Sequence, residues 1–430
     1  MGRKVVITGL GLAVPLGIET EECWRKALQG ISGIRELDPS HGRSPVRAAG
    51  QIGSEDWDRI RREFPEEAET EGERRTLFAL WAAEKALSDA GLERGYGNRS
   101  RFGVTLAAGL GINRLEDIHT WTNETGNFDY SRFAREVTLV HKESMIRNNA
   151  SRPAALIADR FGLGGINATV TTACASATQA LGTACRAIRR GEADLVLAGG
   201  ADSMLHPVGL VFFVLLGSAA VSKMDPEKLC RPFDRRRSGL VMGEGAGIAV
   251  LEEESHAIKR GARIYAEVAG YASTMDAYRL TAPHPEGRGA EQAMRLALRD
   301  ADLRPDEIDY INAHGTSTKL NDQAETVAIK RVFGDRAHSI AVSSSKSLLG
   351  HLLAASGGPE FVFTTLSVAR NEVHPTLNLT NPDPKCDLDY VPNKSRSMLV
   401  RAALSNSFGF GGQNATIALR KYPGPEKPSH

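Results

Sequence analysis

The sequence has few cysteines, and their spacing does not bring them together. The five cysteines stand far apart, with no Cys-x-x-Cys pair. This scatter argues against a disulfide framework and a structural zinc site, so we expect a cytoplasmic protein without a metal. Charges of one sign are not in large excess either, since the chain has 53 basic and 52 acidic side chains. Nothing global therefore favours nucleic acid or an anionic membrane, and an acidic partner would need a local basic patch.

Long hydrophobic runs and nucleotide-binding motifs are missing as well. The longest uncharged apolar run, 208–221, is shorter than the ~20 residues of a membrane-spanning helix, so we interpret it as a buried helix or an interface segment. The N-terminus has no signal-peptide pattern. Residues 9–17 read G-x-G-x5-G with Pro15 inside and no acidic residue for a ribose, which disfavours a dinucleotide site. P-loop, zincin and GxSxG motifs are absent, and we expect no cofactor.

What the sequence does contain is a regular alternation of short apolar runs and longer helical patterns, which predicts an α/β layered fold. Two internal echoes occur in the same order. Residues 86–92 resemble 297–303, and the glycine-rich turn and strand of 241–253 resemble those of 408–420. They predict a two-fold duplication with halves 1–260 and 261–421, followed by a flexible tail, 422–430.

A densely charged segment, 58–76, predicts a solvated helix pair or loop. Its basic cluster could dock an acidic partner, but we favour the interpretation as a plain solvated surface. The cluster consists of Arg59, Arg61, Arg62, Arg74 and Arg75.

Cys174 is the first candidate for chemistry. It ends a Thr-rich run and precedes a helix of small residues that could lie deep in the protein. A cysteine at the first turn of such a helix is near the positive end of the helix dipole, which favours thiolate. The alternative is a small cysteine packed as a hydrophobic residue, and this is our interpretation of Cys185, eleven residues later.

Two histidines lie in unusual segments. His314 opens the turn HGTST, and His351 lies in SSSKSLLGHLLAASGG. Either one alone could be a satisfied core residue, but a cysteine with two histidines is the set that thiol-based acyl transfer uses. A buried pair of Lys346 with Glu325 could hold the site together.

The glycine-rich segment FGFGGQNA, 408–415, could supply a backbone N–H to an oxyanion, or form a tight turn with aromatic packing.

Together these segments resemble β-ketoacyl-carrier-protein synthases of the elongating Cys-His-His type. The resemblance rests on VTTACAS at Cys174, AHGTST at His314, the Lys346–His351 segment, SNSFGFGGQNA at Phe410, and two further blocks, 5–17 and 231–247. It covers residues 5–421 and implies a thiolase-like fold, a five-layered α-β-α-β-α duplication. It also implies a homodimer whose partner is an acyl carrier protein bearing acyl- or malonyl-phosphopantetheine.

The resemblance also implies a role for each matched residue. Cys174 would carry the acyl chain, and its backbone N–H and that of Phe410 would form the oxyanion hole. His314 and His351 would bind the malonyl thioester carbonyl while CO2 leaves, with Lys346 and Glu325 orienting the site. The remaining matches are substrate-binding: Thr316 and Thr318 on the pantetheine arm, Phe410 as a gate, and Phe213 and Leu110 in the acyl pocket.

The sequence departs from the family at several positions. Ser238 replaces a usual Asp, Ser345 a usual Thr, and an arginine is missing near Gly217. Pro359 follows AASG where the family has GAAG, and could end or kink that helix.

Three other interpretations compete with fatty-acid elongation. A type II polyketide ketosynthase, paired with a chain-length-determining subunit, shares every catalytic residue. The non-catalytic partner subunit itself lacks the nucleophile, so Cys174 argues against it. A thiolase would have a second cysteine where this chain has Phe408-Gly409-Phe410.

Overall fold

The computed structural model describes residues 2–37, 45–93, 96–109, 119–140, 146 and 149–424. The strands in these residues are β1 (Val5–Ala13), β2 (Ile34–Glu36), β3 (Ala48–Gly50), β4 (Phe102–Ala108), β5 (Asn167–Val170), β6 (Leu195–Ser203), β7 (Glu244–Glu253), β8 (Ala266–Met275), β9 (Tyr310–Asn312), β10 (Ala341–Ser343), β11 (Glu372–Val373), β12 (Arg396–Ser397), β13 (Ala402–Phe408) and β14 (Gln413–Arg420).

The α-helices of the described residues alternate with these strands, as the sequence pattern predicts. They are α1 (Thr20–Leu28), α2 (Ser54–Glu63), α3 (Pro65–Thr70), α4 (Arg74–Asp89), α5 (Tyr130–Arg135), α6 (Arg152–Phe161), α7 (Ser176–Arg189), α8 (Pro207–Leu215), α9 (Glu254–Lys259), α10 (Arg288–Asp300), α11 (Lys319–Phe333), α12 (Lys346–Leu349) and α13 (Gly357–Arg370). No helix among them combines the length and the apolarity that crossing a membrane requires.

Ten strands form one mixed sheet in the order β5-β4-β6-β7-β1-β8-β14-β13-β9-β10. Its two halves repeat one pattern. In each half, the three outer strands are parallel to one another, and the next two pairings are antiparallel. The halves meet through the short pairing of β1 with β8.

The two sequence echoes fall on equivalent elements of this sheet. The first echo covers the ends of α4 and α10, which precede β4 and β9. The second covers β7 and β14, which occupy matching places in the two halves. This symmetry supports our proposal that the halves join between α9 and β8, near residues 260–261.

The two halves of the sheet form two β layers, and the helices add three α layers. α7 and α13 lie in the middle, where each contacts strands of both halves. α4 and α6 cover the outer face of the first half, α10 covers that of the second, and α11 packs against α10. The architecture is therefore α-β-α-β-α, as the resemblance implies.

Small residues allow the central helices to lie this deep. A Cβ at Gly182 of α7 would come within 2.4 Å of the Tyr271 ring on β8. In α13, every residue from Gly357 to Val368 is buried. The expectation that Pro359 ends or kinks this helix is wrong, because Pro359 lies in the first turn, where its missing N–H has no helical partner to lose.

Candidate active site

Parallel strands bring the predicted site together. Cys174 follows β5, His314 follows β9, Lys346 follows β10, and Phe410 follows β13. β9 lies between β10 and β13 and is parallel to both, so the turns after these three strands are neighbours at one edge. The middle layer completes the site, since Cys174 precedes α7 and His351 precedes α13.

Cys174 lines a cavity of about 400 Å³ and is almost fully buried. It stands two residues before α7, on a turn in which Ala173 adopts a φ of +50°. Left-handed backbone is uncommon for a residue with a Cβ, so this turn is strained. Its Sγ lies 3.0 Å from Nε2 of His351, and the backbone N–H of Phe410 also donates to it.

The surroundings of His351 fix its tautomer. The backbone N–H of Leu353 donates to its Nδ1 over 3.1 Å, and Oγ of Ser356 lies 2.7 Å from the same atom. A backbone N–H can only donate, so Nδ1 of the neutral ring carries no proton. The proton is therefore on Nε2, which faces Cys174.

His314 has the same tautomer for a different reason. Nζ of Lys346 lies 3.2 Å from its Nδ1, and an ammonium group can only donate. The His314 and His351 rings stand 5.4 Å apart at 83°. One ligand atom from each ring and Sγ of Cys174 lie within 4.8 Å of one another. The two histidines therefore present two N–H donors to the space beside one sulfur atom.

The ion pair that anchors Lys346 differs from the predicted one. Its Nζ pairs with Oε1 of Glu360 on α13, and both side chains are buried. Glu325 instead accepts the backbone N–H groups of His314 and Gly315, each over 2.8 Å. The predicted Lys346–Glu325 pair is thus wrong. Glu325 holds the backbone of the His314 turn, and Glu360 holds the lysine.

Burial sets the protonation states of this cluster. It lowers the pKa values of His314 and His351 well below 6.5, and the nearby Lys346 charge lowers both further, so both rings are neutral at pH 7. Burial also raises the pKa of the Cys174 thiol to about 11, although Lys346 and the Phe410 N–H act in the opposite direction. The resting group is therefore the thiol, against the thiolate expected from the helix end alone.

Comparison with known proteins agrees with this geometry. Residues 2–257 match the family model "Beta-ketoacyl synthase, N-terminal domain", and residues 265–380 match "Beta-ketoacyl synthase, C-terminal domain". The chain belongs to the β-ketoacyl synthase family. It is similar to the 3-oxoacyl-acyl-carrier-protein synthase 2 of Synechocystis sp., with 42% identity and 98% of each chain covered. It also resembles the enzyme of that name from Coxiella burnetii, with 38% identity, 97% of this chain and 99% of that one covered.

Solved structures give the same family. One is a type II polyketide synthase acyl-carrier protein in complex with its ketosynthase, AntDE:AntF, with a TM-score of 0.88, 35% identity, and 98% and 100% of the chains covered. Another is a β-ketoacyl synthase from Burkholderia phymatum, with a TM-score of 0.83, 34% identity and the same coverage. The fold is therefore thiolase-like, and the protein is an acyl-transferring condensing enzyme.

Most of the predicted substrate-binding residues of this β-ketoacyl synthase line the cavity above Cys174. Thr316 and Thr318 are among them, with hydroxyl oxygens 2.9 Å apart, and so is Phe410. Phe213 is not among the lining residues; it is buried in a hydrophobic cluster that Phe410 contacts from one side. Leu110 lies outside the described residues.

A close approach of backbones explains one glycine of the FGFGG segment. A Cβ at Gly409 would lie 3.0 Å from the backbone N of Cys174. This close approach places the loop that carries the Phe410 N–H beside the Cys174 N–H, and these are the two predicted oxyanion donors. Cys185, in contrast, is buried in the hydrophobic core, as predicted.

Sequence reasoning missed three contributors to this synthase's site: Glu360, Ser356 and the Leu353 backbone. Ser356 stands in the motif that contains His351, and Glu360 follows that motif by two residues, so the signal was present. A buried glutamate in an otherwise apolar helix needs a cationic partner, and Lys346 was the lysine of the same motif. Two departures from the family, Ser238 and Gly217, also line the cavity.

Proposed function

We propose that this β-ketoacyl synthase joins an acyl group held on Cys174 to malonyl-acyl-carrier protein, giving β-ketoacyl-carrier protein and CO2. The observation that carries this proposal is the shared tautomer of His314 and His351, which presents two Nε2–H donors beside the thiol. Two neutral donors suit the stabilisation of a developing oxyanion. No base is needed at carbon, because decarboxylation itself generates the nucleophile.

In the first half-reaction, Sγ of Cys174 attacks the carbonyl of the acyl thioester. The thioester bond to the pantetheine sulfur breaks, and that sulfur leaves as a thiol with the proton that Cys174 gives up. The backbone N–H groups of Cys174 and Phe410 would bind the oxyanion of the tetrahedral intermediate. The His351 N–H and the positive charge of Lys346 would stabilise the sulfur while it is anionic.

In the second half-reaction, the C–C bond to the malonyl carboxylate breaks and CO2 leaves. Its electron pair forms an enolate, whose oxygen accepts N–H donation from His314 and His351. The enolate carbon then attacks the Cys174 thioester, the C–S bond breaks, and the sulfur recovers one proton from solvent. Lys346, held by Glu360, would orient His314, and Glu325 would position its backbone.

Thr316 and Thr318 would bind the pantetheine arm in the cavity, and Phe410 would gate the malonyl group. Phe213 would form part of the wall of the acyl pocket, since it belongs to the hydrophobic cluster that Phe410 contacts. The names of the curated relatives favour fatty-acid elongation. The likeness to a type II polyketide ketosynthase favours polyketide synthesis as the second candidate.

We further propose a homodimer in the cytoplasm that uses the acyl carrier protein as its partner. Among the described residues, β5 ends the sheet with one side unpaired. Its residues are exposed or half-buried, whereas β10 at the other end is fully buried. An edge strand of this kind can pair with a second copy. The five free cysteines, all buried, fit a reducing compartment.

Two variants test the chemistry. Cys174→Ala should lose acylation by radiolabelled acyl-carrier protein, and retained labelling would refute the proposed nucleophile. His351→Ala should keep part of the acylation and lose malonyl decarboxylation, because only the second half-reaction needs two donors to an enolate. An equal loss of both would indicate a general defect of the site.

The mass of the purified protein in solution distinguishes fatty-acid elongation from polyketide synthesis. A homodimer that extends straight-chain acyl-carrier proteins supports fatty-acid elongation. A stable pair with a second, homologous chain supports polyketide synthesis instead.

A further inference from the structure

Helix α8 is apolar on both of its faces. Its sequence, PVGLVFFVL, contains no charged residue, and Gly209, Leu210 and Phe213 make up its buried face. The opposite face carries large apolar side chains with the i, i+3, i+4, i+7 spacing of a single stripe. These are Val208, Val211, Phe212 and Leu215, of which Phe212 is 50% and Leu215 81% exposed. Surface helices normally present polar residues to water, so this face needs a cover.

This face leads directly to the entrance of the active-site cavity. The three residues after the helix, Leu216, Gly217 and Ser218, all line the cavity. They are held to the helix end by backbone hydrogen bonds, such as that from Leu216 N–H to the Phe212 carbonyl over 3.0 Å. Whatever inserts a long arm through this entrance must therefore lie beside the helix.

Exposed leucines also stand on other sides of the entrance. Leu320 lines the cavity and is 60% exposed, and Leu280 is exposed next to the lining residue Thr281. The Leu280 carbonyl accepts the backbone N–H of Gly411, over 2.6 Å, and so adjoins the loop of Phe410. We call these two leucines and the four exposed residues of α8 the entrance surface.

The basic cluster of residues 58–76, for which docking of an acidic partner is the alternative interpretation, is largely engaged within the chain. Four of its five arginines pair with acids: Arg59 with Glu19, Arg61 with Asp58, Arg74 with Glu244, and Arg75 with Glu73. Arg75 is buried. A partner that relied on this cluster would have to compete with those internal acids.

From these observations we propose that the entrance surface is the docking site for the carrier protein, held mainly by apolar contact. This proposal rests on the proposed function, which requires a carrier protein at the cavity entrance. The partner would present an apolar helical surface of its own and place its pantetheine arm between Leu216 and Leu320. Lys319, which also lines the cavity, and the exposed Arg279, next to Leu280, add positive charges beside this apolar contact.

The test compares a carrier-bound substrate with a free one. Phe212→Ser combined with Leu215→Ser should raise KM for acyl-carrier protein about tenfold or more, since each change removes apolar contact area. Acylation of Cys174 by acyl-pantetheine, which has no protein to dock, should stay within about twofold. The matched control is Leu399→Ser, an equally exposed leucine away from the cavity, which should leave both rates unchanged.

Ionic strength gives a second readout. Apolar docking predicts that KM for acyl-carrier protein changes less than about threefold between 50 and 500 mM NaCl, because only ionic contacts are screened. A larger salt effect, or an unchanged KM in the double variant, would overturn the proposal. It would also be overturned if the double variant changed the mass of the protein in solution, since the surface would then bind a second copy. A lipid surface would be indicated instead if the wild type bound phosphatidylglycerol vesicles, the double variant did not, and KM for acyl-carrier protein were the same in both.

The outcome is distinguishable from failure of the proposed function. If the wild type is not acylated even by acyl-pantetheine, the chemistry fails whatever docks at the entrance. If acyl-pantetheine works and the double variant behaves as the wild type toward acyl-carrier protein, only the docking proposal fails.

Discussion

Alkylation of Cys174 at different pH values separates two opposing influences on its thiol. Desolvation favours the thiol, whereas the end of α7, the Phe410 N–H and the Lys346 charge favour the thiolate. With a pKa of about 11, only about one molecule in 10⁴ would carry the thiolate at pH 7. An ordinary thiol, with a pKa of about 8.5, would carry about 3% thiolate at that pH. Cys174 should therefore react with iodoacetamide roughly 300-fold more slowly than free cysteine, if access is equal.

The assay follows alkylation of the Cys174 peptide by mass spectrometry between pH 6 and 9.5. The rate should rise about tenfold per pH unit without a plateau, because the thiolate fraction rises by that factor below the pKa. A short unstructured peptide with one cysteine, whose thiol has a pKa of about 8.5, should begin to level off above that pH in the same buffers and serves as the control. A plateau below pH 8 would refute the reasoning and would mean that the helix end and the donors outweigh burial.

Three further predictions concern buried charges. Burial raises the pKa of Asp202 to about 6, above the value of 3.8 in the unfolded chain. The protonated carboxyl therefore makes its full contribution to the free energy of unfolding below pH 4, and this contribution is lost as the pH rises through 6. Asp202→Asn should then be more stable than the wild type at pH 8, by up to about 3 kcal/mol, and show no such gain at pH 4, as measured by denaturation midpoints. Lys346→Met or Glu360→Met alone should lower the free energy of unfolding by about 3–5 kcal/mol, because each leaves one buried charge without its partner. The double variant should unfold at a temperature much nearer that of the wild type, yet it should lose malonyl decarboxylation. Arg237→Leu should lower the thermal midpoint strongly, because the buried Asp322 loses its partner, and Arg237→Leu with Asp322→Leu should recover part of the loss.

Much of the fold could be predicted from the sequence, because its signals are local. The strand that ends near His314 belongs to a short apolar run, and the strand before Cys174 belongs to a Thr-rich run. The helix after Cys174 has the small residues of a buried helix. The echoes located equivalent strands because a duplicated fold places equivalent sequences in equivalent environments. The long charged segment was harder, since α2, α3 and the start of α4 bury residues such as Phe64 and Arg75 beneath a charged surface.

The site was predictable as a set of residues and less so as a network of contacts. Cys174, His314 and His351 each stand in a glycine- or hydroxyl-rich turn, which marks a position where backbone and ligand approach closely. Which carboxylate meets Lys346 depends on where α13 packs, and the chain offers three carboxylates within 21 residues of the lysine: Glu325, Asp335 and Glu360. Spacing alone could not choose Glu360 over Glu325.

A single physical cause, burial, has opposite consequences for the two half-reactions. It keeps His314 and His351 neutral, and the donors at their Nδ1 atoms leave the proton on Nε2, the form that can donate to an enolate oxygen. The same desolvation makes the Cys174 thiolate costly, by about 5 kcal/mol at pH 7. Lys346 reconciles the two requirements, because its charge lowers the pKa values of both histidines and of the thiol. A more hydrated cavity should therefore speed formation of the acyl-enzyme and weaken decarboxylation, so acylation and condensation favour different degrees of burial of one site.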